Sequence, residues 1–371
     1  VSIDKNDINS AFENAQPDEN GVKTVLAEIP ETEGADSYLV SLDASVLTNA
    51  ASANKKIELK TPLGTLIIPG NMLANSYTSK AGEITVRIGK ANTGDIPDDI
   101  KAVIGERPVI ELSLYLNGNP IEFNNPYTSV SVSIPYTPTE EELEEPGNIV
   151  VWYIGSSGKA EPVPTGWYNA ETGMVEFRTS HFSKYAVAHF HKTFGDLDGY
   201  EWAKKEIEIL AARGIIKGTS PTTYKPGDNL TRADFTLLLV RALGLNTRVV
   251  SVFSDVRPTD YFYEGMGIAK ALGIVKGTGN NMGNPREEIT RQEMMVMAAR
   301  ALRYAGKLEE GSAEDLENIF DINDIADYAV SDIAALVRMG MVPEREGNAI
   351  RPAERATRAE AALLIYRLCK K

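Results

Sequence analysis

Apolar and polar positions follow two different periods along this chain, and the change falls close to residue 192. Up to about His191 the apolar runs are short, and several alternate with polar residues. They read IELKTPLGTLIIPG (57–70), EITVRIG (83–89), PVIELSLYLNG (108–118), YTSVSVSIPY (127–136), NIVVWYIG (148–155) and GMVEFRT (173–179). They are rich in Val, Ile, Thr and Tyr, and Gly, Pro and Asn turns separate them, which predicts an all-β sandwich over 1–192. The first twenty residues are polar and fit a short helix or a loose lead-in. The acidic stretch TPTEEELEEPGN (137–148) reads as a solvated loop.

From Phe194 the period becomes helical and the chain repeats itself. Phe194, Phe253 and Phe320 each open a unit, giving repeats over 194–246, 253–306 and 320–371. Gly214, Gly273 and Gly340 lie 20 residues after these phenylalanines, and Arg232, Arg291 and Arg358 lie 38 after them. An aromatic stands 8 residues in each time: Trp202, Tyr261 and Tyr328. The extra length of the second period falls around GKLEEGSAEDLEN (306–318). Each unit predicts a first helix ending at the Gly, which fits a left-handed C-terminal cap, then a loop and a second helix. The apolar positions of the second helices are Phe235, Leu238, Leu239 and Ala242; Met294, Met297, Ala298 and Ala301; Ala361, Leu364, Ile365 and Leu368. All three sets share one spacing and one register. A single helix pair cannot bury such a stripe, whereas three pairs packed together can. The expected architecture is therefore multidomain, all-β followed by all-α.

Each second helix opens with Thr-Arg-x-acid: LTRADF (230–235), ITRQEM (289–294) and ATRAEA (356–361). Thr231, Thr290 and Thr357 are good N-caps, and Glu293 and Glu360 stand where a capping-box acid reaches back to the cap; Asp234 is a shorter version. The arginine is not explained by capping, because a cation in the first helical turn is disfavoured by the macrodipole by roughly 0.3–1 kcal/mol. Its repeated presence points to an anion nearby. That anion is either an internal carboxylate joining two repeats, or a ligand carboxylate or phosphate held by the guanidinium and by free helix N–H groups. The turns GIIKG (214–218) and GIVKG (273–277) add Lys217 and Lys276, and Gly218 and Gly277 permit positive φ or close approach of a ligand to the backbone.

The formal charge of −14 argues against a general nucleic-acid binder and leaves room for a local cationic site. Cys369 is the only cysteine, so no intramolecular disulfide forms and the compartment stays open; on its helical pattern it reads as a small core residue. No apolar run reaches transmembrane length. Val1 is not an initiator methionine and no leader segment is visible, as in a processed or excised chain. No cofactor motif, nucleophile elbow, phosphate loop or zinc signature is present.

The arrangement F-x-D…aromatic…G-[IV]-[IV]-K-G…T-R-x-[DE] resembles the S-layer homology domain in its usual set of three, over Phe194 to Lys371. The resemblance implies a pseudo-threefold helical spindle with ligand grooves between neighbouring repeats. It implies an extracellular protein held non-covalently on the cell wall by an anionic secondary cell-wall polysaccharide, commonly one ending in pyruvylated N-acetylmannosamine. The motif arginines, Arg232, Arg291 and Arg358, would be the main anion contacts. Asp196, Lys217 and Gly218, then Asp255, Lys276 and Gly277, carry over by position, and Trp202 and Tyr261 join them as candidate ligand contacts. Unit three departs from the pattern. Asp321 comes one place early, and Pro343 and Glu344 stand where the Lys and second Gly would be. A groove relying on the unit-three turn is therefore expected to be weak, and Arg358 to matter less than Arg232 or Arg291.

The β half resembles the module that often precedes such repeats in large surface proteins, through ELKTPLGTLIIPGNML, IGERPVIELSLYLNG, VSVSIPYTP and VEFRTSHFSKYAV. Its bland role is a spacer. A sharper alternative is self-processing: His181-Phe182-Ser183 also occurs in β-sandwiches of the netrin-receptor and death-domain families, where Ser183 would attack the Phe182 carbonyl with His181 as base. A surface enzyme acting on polysaccharide and a self-assembling lattice protein are further alternatives. His181, His189 and His191 would share one strand face, but no Cys or carboxylate pattern supports a metal.

Overall fold

The computed structural model describes residues 1–74, 82–342 and 348–370. It divides into two compact units, Val1–His191 and Lys192–Lys371.

The first unit opens with helix α1 (Lys5–Asn14), capped by Asp4. Its strands are β1 (Lys23–Glu28), β2 (Ser37–Asp43), β3 (Lys55–Thr61), β4 (Gly64–Pro69), β5 (Glu83–Lys90), β6 (Val109–Leu116), β7 (Asn119–Ile121), β8 (Val130–Pro135), β9 (Ile149–Ile154), β10 (Ala160–Pro162), β11 (Trp167–Asn169), β12 (Met174–Thr179) and β13 (Lys184–His189). One sheet runs β1-β3-β4-β8-β12-β11 and the other β10-β9-β13-β6-β5-β2, with β7 on β6. Pairing is antiparallel except between β1 and β3. The alternation does what it promises: in β6, Ile110, Leu112, Leu114 and Leu116 are buried and the residues between them are not. They meet Ile57, Leu66, Val132 and Phe177 of the other sheet in one core.

Short helices sit outside the sheets, α2 (Asp98–Ile104) and α3 (Glu140–Glu144). The second falls within the acidic stretch expected to be a loop. Thr139 and Glu142 form a capping box there, and Glu142 is only 1% exposed. Its carboxylate takes hydrogen bonds from Arg107 Nε at 2.5 Å and from the Tyr136 hydroxyl at 2.7 Å. Composition alone reads EEELEE as solvated; the pairing partner 35 residues upstream is what makes burial tolerable.

The second unit contains α4 (Glu201–Ala212), α5 (Arg232–Ala242), α6 (Tyr263–Ala271), α7 (Arg291–Tyr304), α8 (Val330–Arg338) and α9 (Arg358–Cys369). All twelve apolar positions expected of the second helices are buried. The first helix of each repeat packs on the second helix of the repeat before it in a closed ring: α6 on α5, α8 on α7 and α4 on α9. Gly214, Gly273 and Gly340 end the first helices at φ 69°, 71° and 65°, a conformation that carries no Cβ penalty in glycine. At the hub, the residues before the three Thr-Arg motifs close a cycle of backbone bonds. Leu230 N–H donates to Ala356, Ala356 N–H to Ile289, and Ile289 N–H to Leu230, at 2.9–3.0 Å.

The third repeat is registered differently from expectation. Phe194 and Phe253 are core residues, whereas Phe320 is 84% exposed. Asp196 accepts the N–H groups of Tyr224 and Lys225, Asp255 those of Gly283 and Asn284, and Asp321 those of Ile350 and Arg351. The Asp321 clasp is thus the counterpart of the other two, and half-buried Ile319 takes the place of the phenylalanine. Unit three has one extra residue after its Asp rather than a displaced Asp. Pro343 and Glu344 lie outside the described residues.

Candidate functional site: the seams between helical repeats

Each motif helix starts against the loop of the next repeat, and its first N–H groups are already taken. Arg232 N–H donates to Glu287 and Ala233 N–H to Pro285; Arg291 and Gln292 donate to Glu354 and Pro352; Arg358 and Ala359 donate to Asp228 and Pro226. The next N–H, of Asp234, Glu293 or Glu360, goes to the capping threonine. The expectation that free helix N–H groups help hold a ligand is therefore corrected: the neighbouring repeat satisfies them.

The arginine side chains follow the same rule up to a point. Arg232 Nε donates to Gly283 O at 3.2 Å and Nη1 to Glu293 at 2.9 Å. Arg291 Nε donates to Ile350 O at 2.6 Å, and its Nη1 pairs with Glu360. Both guanidiniums are buried, Arg291 at 0% exposure. Glu293 and Glu360 each use one carboxylate oxygen on the arginine and the other on the cap threonine of their own helix. For Arg232 and Arg291 the anion demanded by a cationic helix start is thus an internal carboxylate joining two repeats.

Arg358 is different. Nε donates to Tyr224 O at 2.9 Å and Nη2 to Lys217 O at 3.0 Å, and the guanidinium lies over the Tyr224 ring at 4.5 Å. No ion pair to it forms among the described residues. The acid at the matching place is Asp234, one methylene shorter than glutamate. Its carboxylate accepts hydrogen bonds from Thr231 Oγ1 at 2.6 Å and from the Tyr261 hydroxyl at 2.7 Å. A cavity of about 140 Å³ opens here, lined by Lys217, Tyr224, Asp234, Arg241, Tyr261 and Arg358 among others. Arg358 therefore works with the intact GIIKG turn of unit one, while Arg291 works with the unit-three loop. The expectation that Arg358 is the weak member rested on assigning each arginine to the turn of its own repeat, and the packing across repeats overturns that assignment.

Sequence reading missed Arg241. It lies nine residues after the motif arginine, as do Arg300 and Arg367, and that spacing was the available signal. Arg300 faces Asp332 at 3.9 Å, and Arg367 donates to Val342 O at 2.7 Å. The Arg241 side chain has neither hydrogen bond nor ion pair among the described residues, and the cavity wall carries three cations, Lys217, Arg241 and Arg358, against one carboxylate, Asp234. Burial pushes the Tyr224 phenol up to about 12, and burial together with Asp234 does the same for Tyr261. Both are neutral donors at ordinary pH.

The other candidates are placed elsewhere. Asp196 and Asp255 spend both carboxylate oxygens on the backbone clasp. Burial pulls Asp196 upward, but those N–H groups and the Arg358 charge outweigh it and hold it below the usual carboxylate range. Gly218 and Gly277 lie close to their own loops and to Phe194 and Phe253, with no room for a Cβ. Lys276 is exposed, and Trp202 is exposed with its ring 6.3 Å from Tyr200.

In the β unit, Ser183 borders an open depression of about 470 Å³ with Asp95, Glu111 and Lys184. Its hydroxyl donates to Ile154 O at 3.3 Å. His181 Nε2 is buried with no hydrogen-bond partner, its ring edge-on to Tyr153, and burial lowers its pKa. The base and nucleophile of a self-cleaving pair are not hydrogen-bonded to each other. The His189 and His191 rings meet at 4.8 Å, with no group of three metal-binding side chains around them among the described residues.

Three interlocked helix pairs built on one sequence pattern, following a β-rich unit in the chain, make a repeat protein. Residues 193–236, 252–295 and 321–362 each match the S-layer homology domain, so the chain carries three of these domains and is a wall-associated protein of the cell surface. It is 27% identical over 352 residues to an amylopullulanase of Thermoanaerobacterium thermosulfurigenes, covering 94% of this chain and 18% of that protein. It is 31% identical over 267 residues to exoglucanase XynX of Acetivibrio thermocellus, covering 70% of this chain and 24% of that protein. The S-layer protein sap of Bacillus anthracis is 25% identical over 190 residues, 50% of this chain and 22% of that protein. The chain thus spans about a quarter or less of the length of these relatives.

Proposed function

We propose that the helical unit anchors its polypeptide non-covalently to the cell wall by binding an anionic secondary polysaccharide, with a sugar-borne carboxylate such as a pyruvate ketal seated at Arg358. One observation carries this reading: Arg358 is the motif arginine without a carboxylate partner among the described residues, and it opens onto a cavity that Lys217 and Arg241 also line. A guanidinium held by two carbonyls and a tyrosine face is oriented in advance, and it keeps N–H donors for a planar carboxylate. Tyr261 adds an exposed aromatic edge and a neutral hydroxyl, the combination suited to a sugar ring. The β unit acts as the spacer that joins the anchor to its cargo, and the chain performs no turnover itself.

Co-sedimentation of the purified chain with cell-wall sacculi, before and after hydrofluoric acid removes the secondary polymer, tests the proposal. Binding to native walls that is lost on stripping is the expected result. Equal binding to both preparations would assign the wall contact to peptidoglycan and overturn it.

A further inference from the structure

We infer that Asp234 selects which seam takes a ligand, so that the helical unit binds one carboxylate-bearing sugar, at Arg358, while Glu293 and Glu360 occupy the other two seams as built-in ligand mimics. The inference rests on the wall-anchoring reading above and adds the count and the cause.

The three seams share one backbone frame. Each has an arginine Nε on a loop carbonyl of the next repeat: Gly283, Ile350 or Tyr224. Each has a capping threonine whose hydroxyl receives the N–H of the acid three residues on. The difference lies in the length of that acid. Glutamate has reach enough for one oxygen on its threonine and the other on the arginine across the seam. Aspartate keeps the threonine, and its second oxygen goes to Tyr261 instead. Where glutamate closes the seam, the guanidinium is buried and charge-neutralised; where aspartate stands, the guanidinium is half-buried and a cavity remains. A ligand carboxylate at Arg358 would do there what Glu293 does at Arg232 and Glu360 at Arg291. The +9 arginines agree with this division: Arg300 and Arg367 are engaged, and Arg241 is not.

Isothermal titration of the full chain with the methyl glycoside of pyruvate-ketal N-acetylmannosamine tests the inference, with circular dichroism confirming the fold of each variant. The wild type should bind one equivalent. Asp234→Glu supplies the missing methylene, bridges to Arg358 and should weaken binding by about tenfold or more. Asp234→Asn keeps the short side chain and removes a negative charge from the cavity wall, so it should bind more tightly than the wild type. Glu293→Asp should open the Arg232 seam and add a second equivalent. Two or three equivalents in the wild type, or Asp234→Glu binding as the wild type does, would overturn the gate and leave anchoring intact. Loss of binding in Asp234→Asn matching that in Asp234→Glu would show that the carboxylate itself contacts the sugar and would also overturn the gate. If the wild type neither takes the glycoside nor sediments with native sacculi, the anchoring reading falls together with the gate.

Discussion

The Arg358 guanidinium stacks 4.5 Å from the centre of the Tyr224 ring, although 134 residues separate the two in sequence. This contact closes the ring of repeats, third onto first, and it leaves one motif arginine facing a cavity instead of a glutamate. On the proposed reading the three arginines divide into two struts and one binding residue.

Arg291→Ala removes the partner of Glu360, which is 2% exposed and would stay buried without a counter-charge. Breaking such a pair costs about 3–5 kcal/mol. Urea unfolding followed at 222 nm should show the helical unit losing that much, whereas Arg358→Ala, which gives up two hydrogen bonds to carbonyls and the Tyr224 contact at a half-buried site but strands no buried carboxylate, should cost less, about 1–3 kcal/mol.

The register of the third repeat is testable by truncation. Phe320→Ala removes an exposed ring and should change stability by no more than about 0.5 kcal/mol. Phe253→Ala removes a buried ring of the core and should cost about 3–5 kcal/mol. Equal costs would restore Phe320 as the counterpart of Phe253.

Stability should narrow at both ends of the pH scale. Asp196 and Glu142 sit below their usual range, Glu142 because the Tyr136, Thr139 and Arg107 donors outweigh the upward pull of burial. Their contributions are complete above about pH 4 and are lost as pH falls through the depressed folded values. Tyr136, Tyr224 and Tyr261 are each raised to about 12 by burial. The folded state holds those phenolic protons more tightly, so that contribution is complete below about pH 10 and is lost as pH rises toward 12. Absorbance at 295 nm should show these phenols ionising late, and urea midpoints should fall at both extremes.

Because Ser183 donates to Ile154 and His181 Nε2 meets no partner, the chain should stay uncut. Intact-mass spectrometry after prolonged incubation should return one species of 40.4 kDa, for the wild type and Ser183→Ala alike. A fragment ending at Phe182 in the wild type alone would contradict this.

Local periodicity made most of the fold legible. The β-to-α switch, the left-handed glycines and the buried stripes of α5, α7 and α9 follow from spacing within one element. What spacing could not show was which repeat each residue serves. The Leu230–Ile289–Ala356 cycle is made of backbone atoms and leaves no side-chain signature. The pairing of Arg232 with Glu293 spans 61 residues, so the acid read as a cap when it is also a strut. The exchange of Glu for Asp at position 234 was visible, but its consequence depends on Arg358 arriving from the far end of the chain. The insertion after Asp321 shifted the apparent landmark to an exposed phenylalanine because aromatic identity outweighed burial in the alignment of the repeats.

The central claim is that Arg358, rather than Arg232 or Arg291, meets the wall polymer. The most direct measurement is the affinity of Arg358→Ala for native sacculi, with its unfolding midpoint recorded alongside. The account predicts a fall in wall affinity of about tenfold or more in a protein that still unfolds cooperatively and loses less stability than Arg291→Ala. Undiminished wall binding by a folded Arg358→Ala protein would contradict it.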